Sequence, residues 1–349
     1  ALGCGRDGAR GESLVSMTPA ELTASLKSAE KLLWSGDAAG ALQHCENVLA
    51  VSANHVIAIT LAGLAQLELN QLQKAQELLH RALQMAPQNL HARFGLGKIM
   101  EVQRQYQVGA SHYFEIIKQN SRHHAARVGY ANCSVSMGSY DEANEIYRDV
   151  LKLTGDQHLF RNLGIVALAQ NNLTLAEHYF RKLLEAFPED PDAHSQMAAA
   201  LLKQERFVDG WPYYESRLEN SLGNHQRYAT ALPTWDGSSG KRVLVWCEEG
   251  PGDIAMFASV ISRLLSVSEQ VTVAVEDRFH SLFQRSFGAD LKVIALEQIG
   301  RLQTGDYDAR IALVSCMHLF RADIASFAET AAGYLQPDMD RVMRYRQVL

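Results

Sequence analysis

The residues whose types could do chemistry are concentrated in a short acidic and glycine-rich segment at 248–253, which reads EEGPGD. The segment follows an apolar run, RVLVW at 242–246, and precedes residues with helical periodicity. Because Asp253 would lie at the start of that helix, the positive end of the helix dipole favours its ionised form. A carboxylate held in this way can accept a proton from a hydroxyl group. We therefore predict Asp253 as a candidate general base, with helix capping as the alternative role.

The same segment also fits the fingerprint of a dinucleotide-binding turn. Gly250, Gly252 and Ala255 match the spacing G-x-G-x-x-A, and Glu276 follows about twenty residues later, where an acid would bind a ribose hydroxyl. Two features argue against this alternative. Pro251 stiffens a loop that would have to wrap a pyrophosphate, and three carboxylates stand where a doubly charged group would bind. The sequence therefore favours a turn that presents a carboxylate over one that receives a phosphate.

The elements that must position this segment alternate between strands and helices. Apolar runs and helical periodicity predict strands at 242–246, 271–275, 293–295 and 310–314, and helices at 254–265 and 279–287. This alternation is typical of βαβ units and predicts an α/β Rossmann-like half-domain with a parallel sheet. Ligands bind at the carboxyl ends of the strands in such sheets, and the segment at 248–253 lies at that end.

The part of the chain before residue 219 is an internal repeat. Two sets of small residues recur at a spacing of 34 residues, with one step of 33. The sets are Ala29, Gly63, Gly97, Ala131, Gly164 and Ala198, and Ala41, Ala75, Gly109, Ala143, Ala176 and Gly210. Larger residues follow the second set at Leu79, Tyr113, Tyr147, Phe180 and Tyr214. The period predicts an α-solenoid, a tetratricopeptide superhelix of six repeats plus a capping helix over residues 18–219.

A superhelix of this kind has an inner groove that the first helix of each repeat lines. Such grooves bind extended peptides or partner helices, so we predict a partner protein in the groove. A solvated polar face without a ligand is the alternative for each candidate side chain. The groove candidates are Arg93, Lys98, Arg127, Asn132, Arg161, Asn162 and Gln196.

Composition argues against several classes of function. The formal net charge is −6 and no basic cluster alternates with aromatic residues, so we expect no nucleic-acid partner. No apolar run reaches the roughly 18 residues of a membrane span, so we expect no membrane partner. The histidines lack metal-binding spacing such as HExxH, and we predict neither a metal nor a cofactor. The five cysteines are scattered without a CxxC pair, which predicts reduced thiols and a cytoplasmic location.

Two segments lack the pattern of either region. Residues 1–17 are rich in glycine and charge and are expected to be disordered. Met17 is a candidate true start, and lipid attachment at Cys4 is an alternative use of this segment, although Leu2 stands where such sites prefer a small residue. Residues 220–240 are largely polar, end in a stretch with Pro and Gly, and are predicted to be a linker.

Five segments carry a resemblance to a known family. They are RFVDGWPYYESR (206–217), LPTWDG (232–237), KRVLVWCEEGPGD (241–253), GDYDARIALVSCMHLF (305–320) and GYLQPDMDRVMRYRQVL (333–349). In their order the chain resembles bacterial tetratricopeptide proteins that carry a glycosyltransferase domain of the B fold. These proteins are related to heptosyltransferases and, more distantly, to protein O-linked N-acetylglucosamine transferases. The resemblance spans residues 17–349, and its specific part is the combination of GWxxYExR, PxWDG and ExGxGD.

The resemblance implies a role for the acidic segment. In the heptosyltransferase relatives the aspartate of the GD pair is the proposed base, and here it falls on Asp253. This chain departs from the relatives at Pro251, where they usually have an aliphatic residue, and at Glu249, where many have glutamine. The implied substrate-binding residues are Glu248, Glu249, Gly250 and Gly252.

The resemblance also implies a division of the C-terminal part. Residues 241–335 correspond to the N-terminal, acceptor-side half of the B fold, and residues 336–349 to a connector helix that leads to a C-terminal half missing from this chain. That second half would hold a nucleotide-sugar, so this chain alone is expected to be inactive. The parent protein would be a hexosyl- or heptosyltransferase that modifies a protein bound by the repeats. The alternative is a non-catalytic tetratricopeptide interaction scaffold.

Overall fold

The computed structural model describes residues 17–218, 231–330 and 333–348. All of the predicted disordered segment except Met17 lies outside these ranges, Cys4 included. Residue 219, the last of the predicted repeat region, and residues 220–230 of the predicted linker also lie outside them. The chain divides into two compact units, Ala1–Leu159 and Phe160–Leu349. The division falls inside the repeat array, because the last repeat packs against the C-terminal sheet within the second unit.

The first unit contains eight described helices, which form four consecutive pairs, and each helix packs against the next one along the chain. The bounds are α1 Pro19–Trp34, α2 Ala38–Val51, α3 Val56–Glu68, α4 Leu72–Met85, α5 Leu90–Val102, α6 Tyr106–Gln119, α7 His124–Ser136 and α8 Tyr140–Thr154. The helix pairs that the 34-residue period predicts are therefore confirmed.

The first helices of successive pairs begin at side chains that cap them. His55, Asn89 and His123 are one period apart, and each accepts a hydrogen bond from the backbone N–H three residues later. A cap of this kind satisfies a donor that the first helical turn leaves unpaired. At the start of α1, Thr18 and Glu21 cap each other's backbone in a capping box. The caps therefore follow the same period as the small residues.

Small residues allow neighbouring helices to approach closely. A Cβ atom added at Gly97 would lie 2.8 Å from the ring of Tyr113, and one added at Gly129 would lie 2.5 Å from the same ring. One added at Gly63 would lie 2.7 Å from the side chain of Leu79. Tyr113 and Leu79 are both buried. The larger residues of the repeat thus fill the space beside the small ones.

The second unit contains the last two helix pairs and a small sheet. The helices are α9 Leu159–Ala169, α10 Leu173–Ala186, α11 Pro191–Lys203 and α12 Phe207–Tyr214. A 3-10 turn, Glu215–Leu218, extends α12. Trp211 belongs to the apolar core of the sheet, and Phe207 and Tyr214 pack against it. The end of the repeat array and the sheet therefore share one core.

The sheet has four parallel strands in the order β3-β2-β1-β4. The strands are β1 Arg242–Trp246, β2 Gln270–Val275, β3 Leu291–Ala295 and β4 Ala309–Ala312. The predicted parallel sheet is confirmed, whereas the Rossmann-like half-domain stays a prediction. The fourth strand ends earlier than the predicted range 310–314, because residues 313–315 already turn into the next helix.

The helices around the sheet differ from the predicted ones. The single helix predicted at 254–265 is divided by a 3-10 turn, Ala258–Val260. Nη2 of Arg321 donates a hydrogen bond to the carbonyl oxygen of Ser259 at 3.1 Å, which competes with regular helical bonding at this point. The last helix falls on the predicted connector segment 336–349, whose role stays a prediction. The helices are α13 Pro251–Phe257, α14 Ile261–Val267, α15 Asp277–Phe287, α16 Cys316–Phe320 and α17 Met339–Val348.

Candidate functional site

The order of the strands creates a reversal point at the carboxyl ends of β1 and β4. Strands β2 and β3 lie on one side of β1, and β4 lies on the other. In open parallel sheets ligands bind outside the carboxyl ends of the strands at such a reversal point. The segment 248–253 follows β1 there, and Ser315 lies just after β4. The fold thus brings the acidic segment to the place that the topology favours for a ligand.

Arg217 occupies this reversal point. It lies in the turn that extends α12, and its side chain is only 8% exposed. Nη2 of Arg217 donates to Oε1 of Glu248 at 2.8 Å and to Oγ of Ser315 at 3.0 Å. Because Glu248 follows β1 and Ser315 follows β4, the guanidinium joins the ends of the two strands. A side chain from the last repeat therefore fills the crevice between them.

Further contacts lie around the guanidinium of Arg217, although its buried Nε makes no hydrogen bond. Nη1 donates to Oε1 of Glu215 at 2.9 Å and to the carbonyl oxygen of Tyr214 at 3.0 Å. Nε lies 3.4 Å from Oε1 of Glu249. The guanidinium carbon lies 4.7 Å from the centre of the Tyr214 ring, within cation–π range. Oγ of Ser315 in turn donates to Oε2 of Glu215 at 2.8 Å, so two of the side chains that accept from Arg217 also form a hydrogen bond with each other.

Burial dominates the electrostatics of Glu248. Its side chain is 1% exposed, and this burial raises its pKa to about 7, although Arg217 acts in the opposite direction. Its Oε2 atom is buried without a hydrogen-bond partner. Burial also opposes the charge of Arg217, but Glu248 and Glu215 outweigh it and raise the pKa of the guanidinium. The side chains of Glu215, Glu248 and Glu249 thus surround the guanidinium of Arg217.

Tyr214 and Glu249 extend this cluster. The Tyr214 hydroxyl donates to Oε1 of Glu249 at 3.5 Å. Burial, and next the negative charge of Glu249, raise the pKa of Tyr214 to about 12, so the phenol is neutral at ordinary pH. The larger residue that the repeat period places at position 214 is therefore directed toward the acidic segment.

Asp253 lies in the first turn of α13 and is exposed. The N-cap residue of this helix is Gly250, and no side chain makes a capping hydrogen bond there. Asp253 is therefore not the N-cap residue of α13, although a carboxylate in the first turn still interacts favourably with the helix dipole. A Cβ atom added at Gly252 would meet no atom within 4 Å, so the backbone beside Asp253 is open to an approaching molecule. The role of Asp253 as a base stays a prediction.

Four predicted groove residues lie in the first unit, and Lys98 and Asn132 are two of them. The ammonium of Lys98 lies 3.7 Å from the Glu68 carboxylate and 5.9 Å from the centre of the Phe94 ring. Oδ1 of Asn132 accepts a hydrogen bond from the hydroxyl of Tyr147 at 2.7 Å. Lys98 is exposed and Asn132 is half-buried. Contact of either residue with a ligand stays a prediction.

Two predicted groove arginines of the first unit occupy equivalent positions, 34 residues apart. Nη2 of Arg93 donates to the carbonyl oxygen of Pro87 at 3.0 Å, in the turn before α5. Nη2 of Arg127 lies 3.2 Å from Oδ2 of Asp149 on α8. Both guanidinium groups are therefore engaged within the repeat array. Their equal spacing was visible in the sequence, but the direction of the side chains was not.

The remaining groove candidates lie in the second unit. Arg161 stands one period after Arg127 and pairs with Asp190, which caps α11. Asn162 and Gln196 are half-buried, on α9 and α11 respectively. The structure thus gives Arg161 a contact that orders the start of a helix. A ligand contact for these three residues stays a prediction.

Sequence reasoning missed a concave cavity in the first unit. Its volume is about 650 Å³, and α1, α3 and the start of α5 line it. Trp34 and Ile57 contribute to the lining although they are 69% and 57% exposed. None of the predicted groove residues lines this cavity. The signal that could have found it is the presence of large apolar residues on first helices outside the small-residue positions.

Metal sites, membrane spans and thiols can be described for residues 17–218, 231–330 and 333–348. No group of three or more histidine, cysteine, aspartate or glutamate side chains there could hold a metal ion. No helix in these ranges has both the length and the apolar character needed to cross a membrane. The thiols of this part are free and buried, at Cys45, Cys133, Cys247 and Cys316.

Comparison with known proteins supports the repeats. A sequence profile for the tetratricopeptide repeat matches residues 60–114 and 161–221. Together with the phased helix pairs, this match shows that the chain contains tetratricopeptide repeats.

Similar proteins match parts of the chain. Protein FlbA of Caulobacter vibrioides is 32% identical over 180 residues, which cover 46% of this chain and 30% of FlbA. The type IV pilus assembly protein PilF of Pseudomonas aeruginosa is 24% identical over 159 residues, which cover 44% of this chain and 62% of PilF. The chain therefore spans less than two thirds of either relative. A solved tetratricopeptide repeat protein from Parabacteroides merdae is 14% identical with a TM-score of 0.48, covering 58% of this chain and 80% of that protein.

Proposed function

We propose that this protein is an interaction scaffold that binds a partner protein on the first helices of its repeats. The observation that carries the proposal is the cavity of about 650 Å³ in the first unit, where Trp34 and Ile57 are exposed. Large apolar side chains that remain exposed in a concavity mark a binding surface more strongly than scattered ones do. Tryptophan is also among the residue types that contribute most to binding energy at protein interfaces.

The lining of the cavity indicates the chemistry of the bound segment. Leu26, Leu61 and Leu64 provide apolar surface, and Lys27 and Glu30 add one charge of each sign. Because these charges balance, the cavity favours neither a strongly acidic nor a strongly basic segment. The bound segment is therefore an apolar stretch of the partner with one or two large side chains that enter the cavity. The name of PilF as an assembly protein agrees with a role in holding other proteins.

The experiment selects peptides from a random library on the full chain and measures their affinity by calorimetry. For peptides that bind the cavity, Trp34→Ala weakens binding at least about tenfold, because truncation of an aromatic anchor costs about 1.4 kcal/mol or more. The matched control is Leu153→Ala, which removes a residue that is equally exposed, at 65%, on α8 outside the cavity lining. Selected peptides whose affinity does not depend on Trp34 would refute the proposal.

The scaffold operates in the cytoplasm in this proposal. The support is that the four thiols of the described ranges are free and buried, which agrees with a reducing compartment. Expression of the chain in the cytoplasm and in an oxidising compartment, followed by thiol titration of the unfolded protein, tests this point. Equal folding yield in both compartments would remove the support.

A second candidate function is the acceptor-side half of a glycosyltransferase of the B fold. It is favoured by one specific observation, the exposed Asp253 at the carboxyl edge of a parallel sheet of order β3-β2-β1-β4. In this candidate, residues 18–219 are the repeats and capping helix, 220–240 the linker, 241–335 a Rossmann-like half-domain and 336–349 a connector. Asp253 is the base, and the substrate-binding residues are Glu248, Glu249, Gly250 and Gly252, of which Glu248 is buried against Arg217.

Sugar transfer by the product of the complete gene tests this candidate, with nucleotide-sugars as donors. Asp253→Asn lowers the turnover number by a factor of about 100 or more, because it removes the proton acceptor and changes little else. Glu297→Gln, an exposed carboxylate after β3, is the control that leaves turnover unchanged. Full activity of Asp253→Asn would exclude the assigned base, and lack of any transfer would leave the scaffold as the function.

A further inference from the structure

The crevice at the carboxyl ends of β1 and β4 has an unusual occupant. The topology places a ligand site there, yet the guanidinium of Arg217 already fills it. Arg217 does not belong to the sheet, since it comes from the turn after α12, the last repeat helix. Its side chain either serves only to hold the last repeat helix in place or is the ligand of a site that is specific for a guanidinium.

The acceptors around Arg217 engage both terminal nitrogens of its guanidinium, whereas its buried Nε has no hydrogen-bond partner. Two carboxylate oxygens, of Glu248 and Glu215, and the hydroxyl of Ser315 accept from the two terminal nitrogens at 2.8 to 3.0 Å. The guanidinium carbon of Arg217 lies 4.7 Å from the centre of the Tyr214 ring. A guanidinium can share several forked donors among such acceptors while it contacts a ring, whereas an ammonium is a point charge without a face.

The acidic side chains of the crevice outnumber the single guanidinium. Glu215, Glu248 and Glu249 face one guanidinium, and Oε2 of Glu248 is buried without a hydrogen-bond partner. A buried carboxyl oxygen in this state costs free energy. The cluster therefore retains acceptor capacity for a cation even though the crevice is closed.

We propose that the carboxyl ends of β1 and β4 form a guanidinium-binding site, which Arg217 occupies as an internal ligand. Its chemical class of ligand is an alkylguanidinium, that is, an arginine side chain. Occupancy by Arg217 fixes the last repeat helix to the strand ends and holds Glu248 at the start of the segment 248–253. The proposal does not depend on which partner the repeats bind.

Chemical rescue tests the proposal on the full chain. Arg217→Ala leaves a cavity lined by Glu215, Glu248, Ser315 and the Tyr214 ring, and it lowers the thermal midpoint. Millimolar ethylguanidinium, far below denaturing concentration, raises the midpoint of the variant by about 2–4 °C, because a ligand of the folded state stabilises it by mass action. Ethylammonium and sodium chloride at the same concentration give no comparable rise.

The matched control is Arg242→Ala. Arg242 pairs with Asp308 at 2.9 Å at the other end of β1, and both side chains are about one third exposed, so truncation leaves no closed cavity. Neither this variant nor the wild type is stabilised by ethylguanidinium. Equal responses of Arg217→Ala to ethylguanidinium and ethylammonium would overturn the proposal.

A second variant covers the case in which Arg217→Ala does not fold. Arg217→Lys keeps the positive charge but loses the forked donors and the stacking face, so it folds with a lower thermal midpoint than the wild type. A midpoint equal to that of the wild type would show that charge alone satisfies the crevice and would also overturn the proposal.

Discussion

Nη2 of Arg217 and Oε1 of Glu248 lie 2.8 Å apart in a buried ion pair between the last repeat and the end of β1. Such a pair is not a gain in stability by itself, because removal of both charges from water offsets their attraction. Loss of one partner is costly, since the other charge then remains buried. The pair therefore specifies how the last repeat helix meets the strand ends more than it raises the stability of the unit.

Glu248→Gln should change the pH dependence of unfolding. Burial raises the pKa of Glu248 from its ordinary 4.5 to about 7, so between these values the folded protein holds a proton that the unfolded chain releases. Stability from this group is therefore present at low pH and falls as pH rises from about 4.5 to 7. We expect the fall, on the order of 1–3 kcal/mol, to disappear in Glu248→Gln. Urea unfolding across this range measures it.

The control for this experiment is Glu297→Gln, which alters a carboxylate exposed to solvent after β3. Its curve of unfolding free energy against pH should run parallel to that of the wild type. A Glu248→Gln curve that is also parallel would contradict the prediction.

His123 should make the first unit sensitive to acid. Its Nδ1 accepts a hydrogen bond from the N–H of Ala126 at 3.1 Å, which only a neutral imidazole can do. Burial lowers the pKa of His123 in the folded protein, so the unfolded chain binds a proton first. Stability from the cap is therefore present above about pH 6.5 and is lost as pH falls below that value. Helical ellipticity in urea at several pH values measures the effect.

His123→Asn is the matched variant, because Asn89 caps the equivalent helix one period earlier, accepting from Ala92 at 3.0 Å. It keeps a cap that does not titrate, so the difference from the wild type should grow on acidification. His123→Ala should lose about 1 kcal/mol at neutral pH as well. An unchanged acid response in His123→Asn would show that another group is responsible.

Gly129→Ala should destabilise the first unit by about 1–3 kcal/mol. The new methyl group would lie 2.5 Å from the Tyr113 ring, which is buried and cannot move without displacing its own neighbours. Gly252→Ala is the contrasting substitution. It meets no atom within 4 Å and lies in α13, so we expect a neutral effect or a gain of about 0.5–1 kcal/mol. Thermal and urea unfolding measure the stability of both variants. A Gly252→Ala variant that is less stable than Gly129→Ala would contradict the prediction.

Trp211→Phe should cost about 1–3 kcal/mol in the second unit. The indole N–H donates to the carbonyl oxygen of Arg321 at 2.9 Å inside the core, and phenylalanine would leave that acceptor unsatisfied. Trp34→Phe is the control, because the indole of Trp34 is exposed to water. Equal midpoints for the two variants in urea would show that the buried bond contributes nothing measurable.

Much of the repeat region follows from the sequence, because its contacts are local and periodic. The spacing of 34 residues aligns Gly63 with Gly97 and Leu79 with Tyr113, and in the structure each larger residue packs against the small residue of its own repeat. Helix packing between neighbouring repeats depends on side-chain size at fixed positions, and the sequence states the size of each side chain directly. The same spacing also aligned Arg93 with Arg127, but their direction depends on which turn or helix lies within reach of each guanidinium.

The parallel sheet was also predictable, since continuous apolar runs separated by helical segments admit few alternatives. The contacts of Arg217 at the edge of the sheet were not predictable from the sequence. Arg217 meets Glu248 across 31 residues and Ser315 across 98, and no periodicity connects these positions. The sequence by itself determined the repeats, the strands and the acidic segment after β1. Only the tertiary structure decided that an arginine from the repeats fills the crevice, because that contact depends on strand order and on the packing of α12 against the sheet.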